Sequence, residues 1–269
     1  MHRISLIHPA GADWTVSSRL VDAAGLDTAV AAETAAHPNS DVFVVPEALS
    51  AAPPQLVLMD VDSTFLNEEV IELIAEHAGV REAVARITDE AMRGELDFAA
   101  SLRARVAALA GLPESALAEV REQVTLTAGV PEFVAAVQGA GGVVALVSGG
   151  FAEVVVPVAA ELGIGEVLAN RLAVREGVLT GEVEGRIIDR RAKADQLRVL
   201  CEQLDIDPER TVAIGDGAND AEMVEAAGFG IAFCAKPALA EVADAVLTVR
   251  RMDAVWAALT GEPAGPAEL

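Results

Sequence analysis

Two aspartates, Asp60 and Asp62, leave an apolar run one residue apart in the stretch DVDST at 60–64. Residues i and i+2 emerging from a strand can face the same side. One carboxylate can then attack an electrophile such as phosphorus while the other handles the leaving-group proton. Two further apolar runs end in related chemistry. VVALVSGG at 143–150 closes on Ser148 and Gly149, and a hydroxyl beside Gly-Gly suits phosphate held by Ser Oγ and backbone N–H groups. TVAIGDG at 211–217 leads into Asp216, Asn219 and Asp220. Acids crowded at one edge repel each other unless a cation neutralises them, and all-oxygen ligation favours Mg²⁺ over softer metals.

Each motif has a competing reading. An EF-hand loop starting at Asp60 would need Gly at its sixth position and Glu at its twelfth, but Phe65 and Ile71 stand there. A dinucleotide fingerprint in GDGAND fails because Asp220 occupies the place of the third Gly. A hydrolase elbow around Ser148 fails because Leu146 replaces the first Gly. Glu69, Arg105 and Lys193 read, without context, as ordinary solvated helix residues. Met92 and Phe98 read as packing residues.

The runs that deliver these residues, LVLMD at 56–60 and the two above, are apolar throughout, as strands buried on both faces of a parallel sheet are. IAFCA at 231–235 and AVLTV at 245–249 supply further short strands, with helical patterns between, so the fold class is α/β with a Rossmann-like, doubly wound parallel sheet. Ligands of such sheets bind beyond the carboxyl ends of the strands. Residues 67–128 show helical periodicity only, with Asn67 a candidate N-cap, and are too long for a crossover; they read as an inserted helical cap. VREGVLTGEVEG at 174–185 reads as a hairpin turning near Glu176-Gly177. The expected division is a small N-terminal α/β segment over 1–52, a core over 53–66 and 129–260, the cap over 67–128, and a tail over 261–269. Within the first segment, ISLIH and DVFVV read as strands, residues 17–36 as helical, and EALSAAPPQ at 47–55 as a linker.

The chain has 269 residues, 52% of them hydrophobic, and a formal net charge of -23. That composition can bury a sizeable core, and the charge argues against nucleic acid or an anionic membrane as partner. An anionic substrate would need positive potential concentrated locally. No apolar run approaches bilayer length, and the first residues do not follow a secretory signal pattern, so a cytoplasmic location is expected. Cys201 and Cys234 lie apart with no metal spacing and read as two thiols. A homodimer is compatible with the sequence.

DVDST, SGG, Lys193 within RAKAD, and GDGANDAEM occur in that order, and together they resemble the haloacid dehalogenase superfamily. Over roughly 55–250 the chain is similar to those members that hydrolyse phosphoserine, through segments such as DVDSTFLNEEVIELIAEHAG, ITDEAMRGELDFAASLRARV, VVALVSGGF, ANRL, LTGEVEG and IAFCAKP. The resemblance implies a Mg²⁺-dependent phosphatase that converts O-phospho-L-serine to L-serine and phosphate through an aspartyl phosphate, the last step of serine biosynthesis. It implies Asp60 as nucleophile and metal ligand. Asp62 would bind the metal through its carbonyl and be the acid and base through its side chain. Asp216 would be the third ligand, with Asp220 supporting it. Ser148, Gly149, Lys193 and Asn219 would hold the phosphoryl oxygens. Glu69 would meet the substrate ammonium and Arg105 its carboxylate, beneath a lid closed by Met92 and Phe98. Lys236 receives no role. A related enzyme acting on another small phosphomonoester, or transferring the phosphoryl group, is the alternative. A phosphorylated ion pump is excluded by the lack of membrane-length segments, and a silent phosphoserine sensor is disfavoured because the catalytic set is complete.

Overall fold

The computed structural model describes residues 1–11, 13–92 and 97–265; the side chain of Met92 lies outside the described residues. The chain opens with strands β1 (His2–Ala10) and β2 (Asp13–Val21), followed by helix α1 (Leu26–Ala36) and strand β3 (Asp41–Val45). They form an antiparallel sheet ordered β2-β1-β3. Alternation along β1 sends Ile4 and Leu6 to α1, while Ile7, with Phe43 and Val45 of β3, joins the main core. This unit is therefore packed onto the body rather than standing alone.

Two expectations are corrected here. Residues 17–21 belong to a strand, not a helix, and only the Ala-rich stretch from Leu26 is helical. The stretch DWTVSSRLV pairs with β1 over its whole length and packs Trp14 and Val16 against the core, a period-2 arrangement that outweighs the alanines following it. The presumed linker contains a short helix, α2 (Glu47–Ala51), that buries Leu49.

β4 (Leu56–Met59) is wholly buried; Leu56 and Leu58 face one apolar cluster, Val57 and Met59 the other. That two-sided burial explains the unbroken apolar run. Four helices follow the irregular turn Val61–Phe65: α3 (Val70–His77), α4 (Arg81–Met92), α5 (Phe98–Ala107) and α6 (Ala116–Arg121). Glu69, not Asn67, holds the N-cap position of α3. The Asn67 amide instead donates to Thr125 Oγ1 and the Leu126 carbonyl, tying together the two crossings between core and helical layer.

The chain then alternates: α7 (Val130–Gly139), β5 (Val143–Phe151), α8 (Ala152–Glu161), β6 (Glu166–Arg175), β7 (Val178–Glu184), α9 (Arg190–Leu204), β8 (Thr211–Gly215), α10 (Ala221–Ala226), β9 (Phe229–Phe233), α11 (Pro237–Ala240), β10 (Ala245–Leu247) and α12 (Asp253–Thr260). The sheet order is β10-β9-β8-β4-β5-β6-β7, parallel except for the β6–β7 hairpin. Glu176 (φ 54) and Gly177 (φ 77) make its turn, the left-handed pair that a two-residue hairpin of matching twist requires. Because β4 lies between β5 and β8, the three strands that deliver Asp60, Ser148 and Asp216 are neighbours. The catalytic-type residues therefore meet at one edge.

Candidate active site

Asp60 follows β4 directly; its N–H donates to the Ile214 carbonyl at 2.9 Å, continuing the pairing with β8. The residue is 4% exposed, and Oδ1 accepts from the Val61 N–H at 2.7 Å and from Lys193 Nζ at 2.7 Å. Lys193 stands in the first turn of α9, 1% exposed, and also donates to Asp220 Oδ1 at 2.7 Å. Burial works against the ammonium, but the Asp60 and Asp220 carboxylates outweigh it and hold its pKa above the ordinary lysine value. Burial first, then the Asp220 charge, pushes the Asp60 carboxyl well up, partly opposed by Lys193.

Asp220 is the organiser of the loop after β8. Its Oδ2 accepts from the N–H groups of Asp216 (3.2 Å) and Gly217 (3.0 Å), while its Oδ1 holds Lys193. A Cβ on Gly215 would come within 2.5 Å of the Asp220 side chain, so this approach requires glycine. Oxygens of Asp60, Asp216 and Asp220 lie within 4.8 Å of one another. The Asp216 carboxyl is pushed up to about 6 by burial and by the Asp220 charge. A buried, mutually repelling, all-oxygen set is a donor set for a hard divalent cation.

Asp62 sits where the turn begins to lead into α3, and its Oδ1 accepts from the Val70 N–H at 3.0 Å, one of the free donors of the helix start. Burial, then the charge of Glu69, pushes its carboxyl up to about 7. A group near neutrality can both give and take a proton. Ser63, next in the chain, has φ 59, a left-handed conformation rare for a non-glycine residue.

The β5 end supplies Ser148, fully buried, whose Oγ accepts from the Gly150 N–H at 2.7 Å. A Cβ on Gly150 would lie 3.0 Å from both Asp62 Oδ2 and Ser148 Oγ, so the backbone approaches the acid pair closely. Asn170 on β6 fixes this loop from behind: its Nδ2 donates to the Gly149 carbonyl at 2.8 Å, and its Oδ1 accepts from the Ile188 N–H at 2.8 Å.

A cavity of about 430 Å³ brings the sheet edge and the helical layer together. Asp60, Asp62, Gly149, Asp216 and Asn219 line it from the sheet edge, and Glu69, Phe98 and Arg105 from the helical layer. Ser148, Lys193 and Asp220 are buried outside that lining. Burial lowers the Arg105 pKa, and the charges of Glu69 and Asp62 oppose that shift. Four residues without a sequence-based role also contribute. Thr88 and Leu102 line the helical wall, and Lys236 reaches within 4.0 Å of Asp216 Oδ2. Asn170 stands in the ANRL segment that carries part of the family resemblance, but nothing in the sequence shows what it reaches.

The sequence pattern of the haloacid dehalogenase-like hydrolases matches residues 57–225, well over half of the chain. The chain belongs to this family. A second pattern, that of the sucrose-6F-phosphate phosphohydrolases, matches residues 186–265. Among curated proteins, this hydrolase is 47% identical over 223 residues to a phosphoserine phosphatase of Mycobacterium tuberculosis, covering 83% of this chain and 54% of that protein. It thus spans about half that relative's length. Among solved structures, a phosphoserine phosphatase described as a phospho-aspartyl intermediate analogue is 44% identical with a TM-score of 0.71, covering 76% of this chain and 97% of that one. A probable phosphoserine phosphatase from Vibrio cholerae, unliganded, is 31% identical with a TM-score of 0.80, covering 96% of this chain and 86% of that one. Members of this hydrolase family use a divalent metal, and the Asp60, Asp216 and Asp220 cluster fits one. Among the described residues no helix is long and apolar enough to cross a membrane.

Proposed function

We propose that this hydrolase removes the phosphate from O-phospho-L-serine, with Asp60 as nucleophile and Mg²⁺ as the cation. The observation that carries the reading is the single cavity in which Asp60 and Asp62 face Glu69 and Arg105. A substrate with a phosphate at one end and an ammonium and a carboxylate at the other matches that division. Arg105 pairs with the carboxylate in a two-bond geometry and Glu69 with the ammonium. Phe98, which lines the cavity from the helical layer, shields the bound ester from water. The protein's similarity to phosphoserine phosphatases supports the same substrate.

The chemistry follows from the residues. Asp60 Oδ1 already accepts two hydrogen bonds, so Oδ2 is the attacking oxygen. A bond forms from Asp60 Oδ2 to phosphorus as the bond to the serine oxygen breaks. Protonated Asp62 gives its proton to that departing oxygen. The Asp62 carboxylate then takes a proton from water as the water oxygen attacks the same phosphorus. Phosphate leaves and the Asp60 carboxylate is restored. Ser148 Oγ accepts from Gly150, which leaves its hydroxyl proton for a phosphoryl oxygen; Gly149 N–H, Asn219 and Lys193 complete the cradle. Asp60, the Asp62 carbonyl and Asp216 would hold the Mg²⁺, with Asp220 orienting the loop. When bound, the ion neutralises the charge gathered on the transferring phosphoryl oxygens.

Phosphate release from a panel of small phosphomonoesters, with Mg²⁺ and with a chelator, tests the reading. Phosphoserine should rank first and the chelator should abolish release. A panel in which phosphoserine is a poor substrate would overturn the substrate assignment and leave a related phosphatase or phosphotransferase.

A further inference from the structure

We propose that Arg250 is a positioning residue for the turn that carries Asp62, and that the N-terminal unit serves to hold Arg250 there. The proposal rests on the roles assigned above to Asp60 and Asp62. Arg250 lies 187 residues from the turn in sequence and does not line the cavity. Its Nη2 donates to the carbonyl of Ser63 at 3.2 Å. Ser63 is the left-handed residue immediately after Asp62, and such a conformation persists only where surrounding contacts impose it. Arg250 Nε also donates to Asn67 Oδ1 at 3.3 Å. Through its amide, Asn67 links the two chain crossings into the helical layer, which are bridged at Leu66 and Leu126. One guanidinium thus joins the turn holding the proposed proton shuttle to the hinge that carries Glu69 and Arg105. It lies 6.0 Å over the Phe233 ring, a face that favours a cation.

Arg250 is solvent-exposed, so burial does not fix its position. The neighbouring backbone does. Thr248 donates to Asp41 twice, from its N–H at 2.7 Å and from its hydroxyl at 3.0 Å, and Asp41 opens β3. On the other side, Arg251 pairs with Asp253 at 2.8 Å and reaches Asp13, the first residue of β2, at 3.4 Å. The Met252 N–H donates to the Ala128 carbonyl at 2.8 Å. The strap over 248–251 is therefore held to the N-terminal sheet through Asp41 at one end and mainly to Asp253 and Ala128 at the other, with exposed Asp13 adding a weaker tie, and Arg250 between them reaches the catalytic turn.

Without Arg250, the Ser63 carbonyl loses its donor and the turn relaxes, taking the Asp62 carboxyl out of line. Protonation of the leaving oxygen matters for an alkyl ester such as phosphoserine and little for p-nitrophenyl phosphate, whose leaving group departs as a stable anion. Arg250→Gln should lower kcat/KM on phosphoserine by about tenfold, a fraction of what a general acid contributes. kcat/KM on p-nitrophenyl phosphate should stay within about twofold, because it reports only phosphoryl transfer to the untouched nucleophile; hydrolysis of the shared phosphoenzyme, in which Asp62 is the base, can lower kcat on both esters. Arg250→Lys, which keeps the charge but not the two-point reach, should fall between. Asp41→Ala, which cuts the tether between Thr248 and β3, should show the same selective loss at smaller size. Equal losses of kcat/KM on both esters, unchanged kcat/KM on both, or unfolding of both Arg250→Gln and Asp41→Ala would overturn the proposal. Should the wild-type protein leave phosphoserine intact, the substrate assignment fails separately. Glycerol phosphate then serves as the alkyl ester in the same comparison.

Discussion

Replacing Lys193 by Met removes the positive charge shared by two buried carboxylates while keeping an unbranched apolar stem of similar reach. The buried triad of Asp60, Lys193 and Asp220 carries a formal charge of -1; the variant would leave -2 in the same volume. Removing one partner of a buried ion pair destabilises by about 3–5 kcal/mol because the remaining charge is unpaired. We expect a loss of about 4 kcal/mol at pH 8 with a chelator, close to the middle of that range. The loss should shrink toward pH 5. The Asp60 carboxyl already lies well above its ordinary value and takes up a proton readily once Lys193 is gone. Lys193 itself stays charged throughout, since its pKa is held above the ordinary lysine value. Saturating Mg²⁺ should also shrink the loss by supplying a second counter-charge to Asp60. Adding Asp220→Asn to Lys193→Met should recover about 2 kcal/mol, because the amide oxygen can still accept from the N–H groups of Asp216 and Gly217. Urea unfolding followed by circular dichroism and by the fluorescence of Trp14 and Trp256 reads these stabilities. A loss under about 1 kcal/mol at pH 8, or no recovery in the double variant, would refute the view that Lys193 chiefly neutralises the two carboxylates.

Other outcomes follow from the same geometry. Asp60→Asn should abolish turnover while leaving the fold intact, because Lys193 and Asp220 remain a balanced pair; turnover above a few per cent of wild type would rule out covalent catalysis there. Arg105→Lys should raise KM for phosphoserine about tenfold or more, the scale of a lost charged hydrogen bond, with little change for p-nitrophenyl phosphate. Equal effects on both esters would argue against a carboxylate clamp. Gly215→Ala should lower the melting temperature, since the added Cβ would sit 2.5 Å from the Asp220 side chain; an unchanged melting temperature would show that the loop can yield. In chelator, stability should fall as pH rises from 5 to 8. The folded carboxyls of Asp216 (about 6) and Asp62 (about 7) lie above the ordinary value of 3.8, so their stabilising protonated forms are lost across that window. For Asp62 the effect is about 2–4 kcal/mol, discounted because the side chain is not fully enclosed. Asp62→Asn should flatten the curve, and an identical slope in that variant would contradict the assignment.

The sheet was legible because strands buried on both faces cannot hide: β4, β5 and β8 are apolar through their centres and turn polar only where they leave the sheet. The turn at Glu176 and Gly177 was equally local. β2 was missed because its residues become a strand only by pairing with β1, and the alanines of α1 drew the reading towards helix. Asn67 has the composition of a helix cap, yet its amide is taken by Thr125 and Leu126, 58 and 59 residues away.

Residue types and their order within short segments therefore determined the α/β class, the strand ends and the acid, hydroxyl and lysine set carried on them. Only the tertiary structure decided that Lys193 lies beneath the cavity between Asp60 and Asp220, that Asn170 braces Gly149, and that Arg250 reaches Ser63. The physical reason is range. Periodicity and turn chemistry act within a few residues and leave a trace in the sequence. The direction and desolvation of a side chain depend on groups that arrive from distant elements once the core has closed.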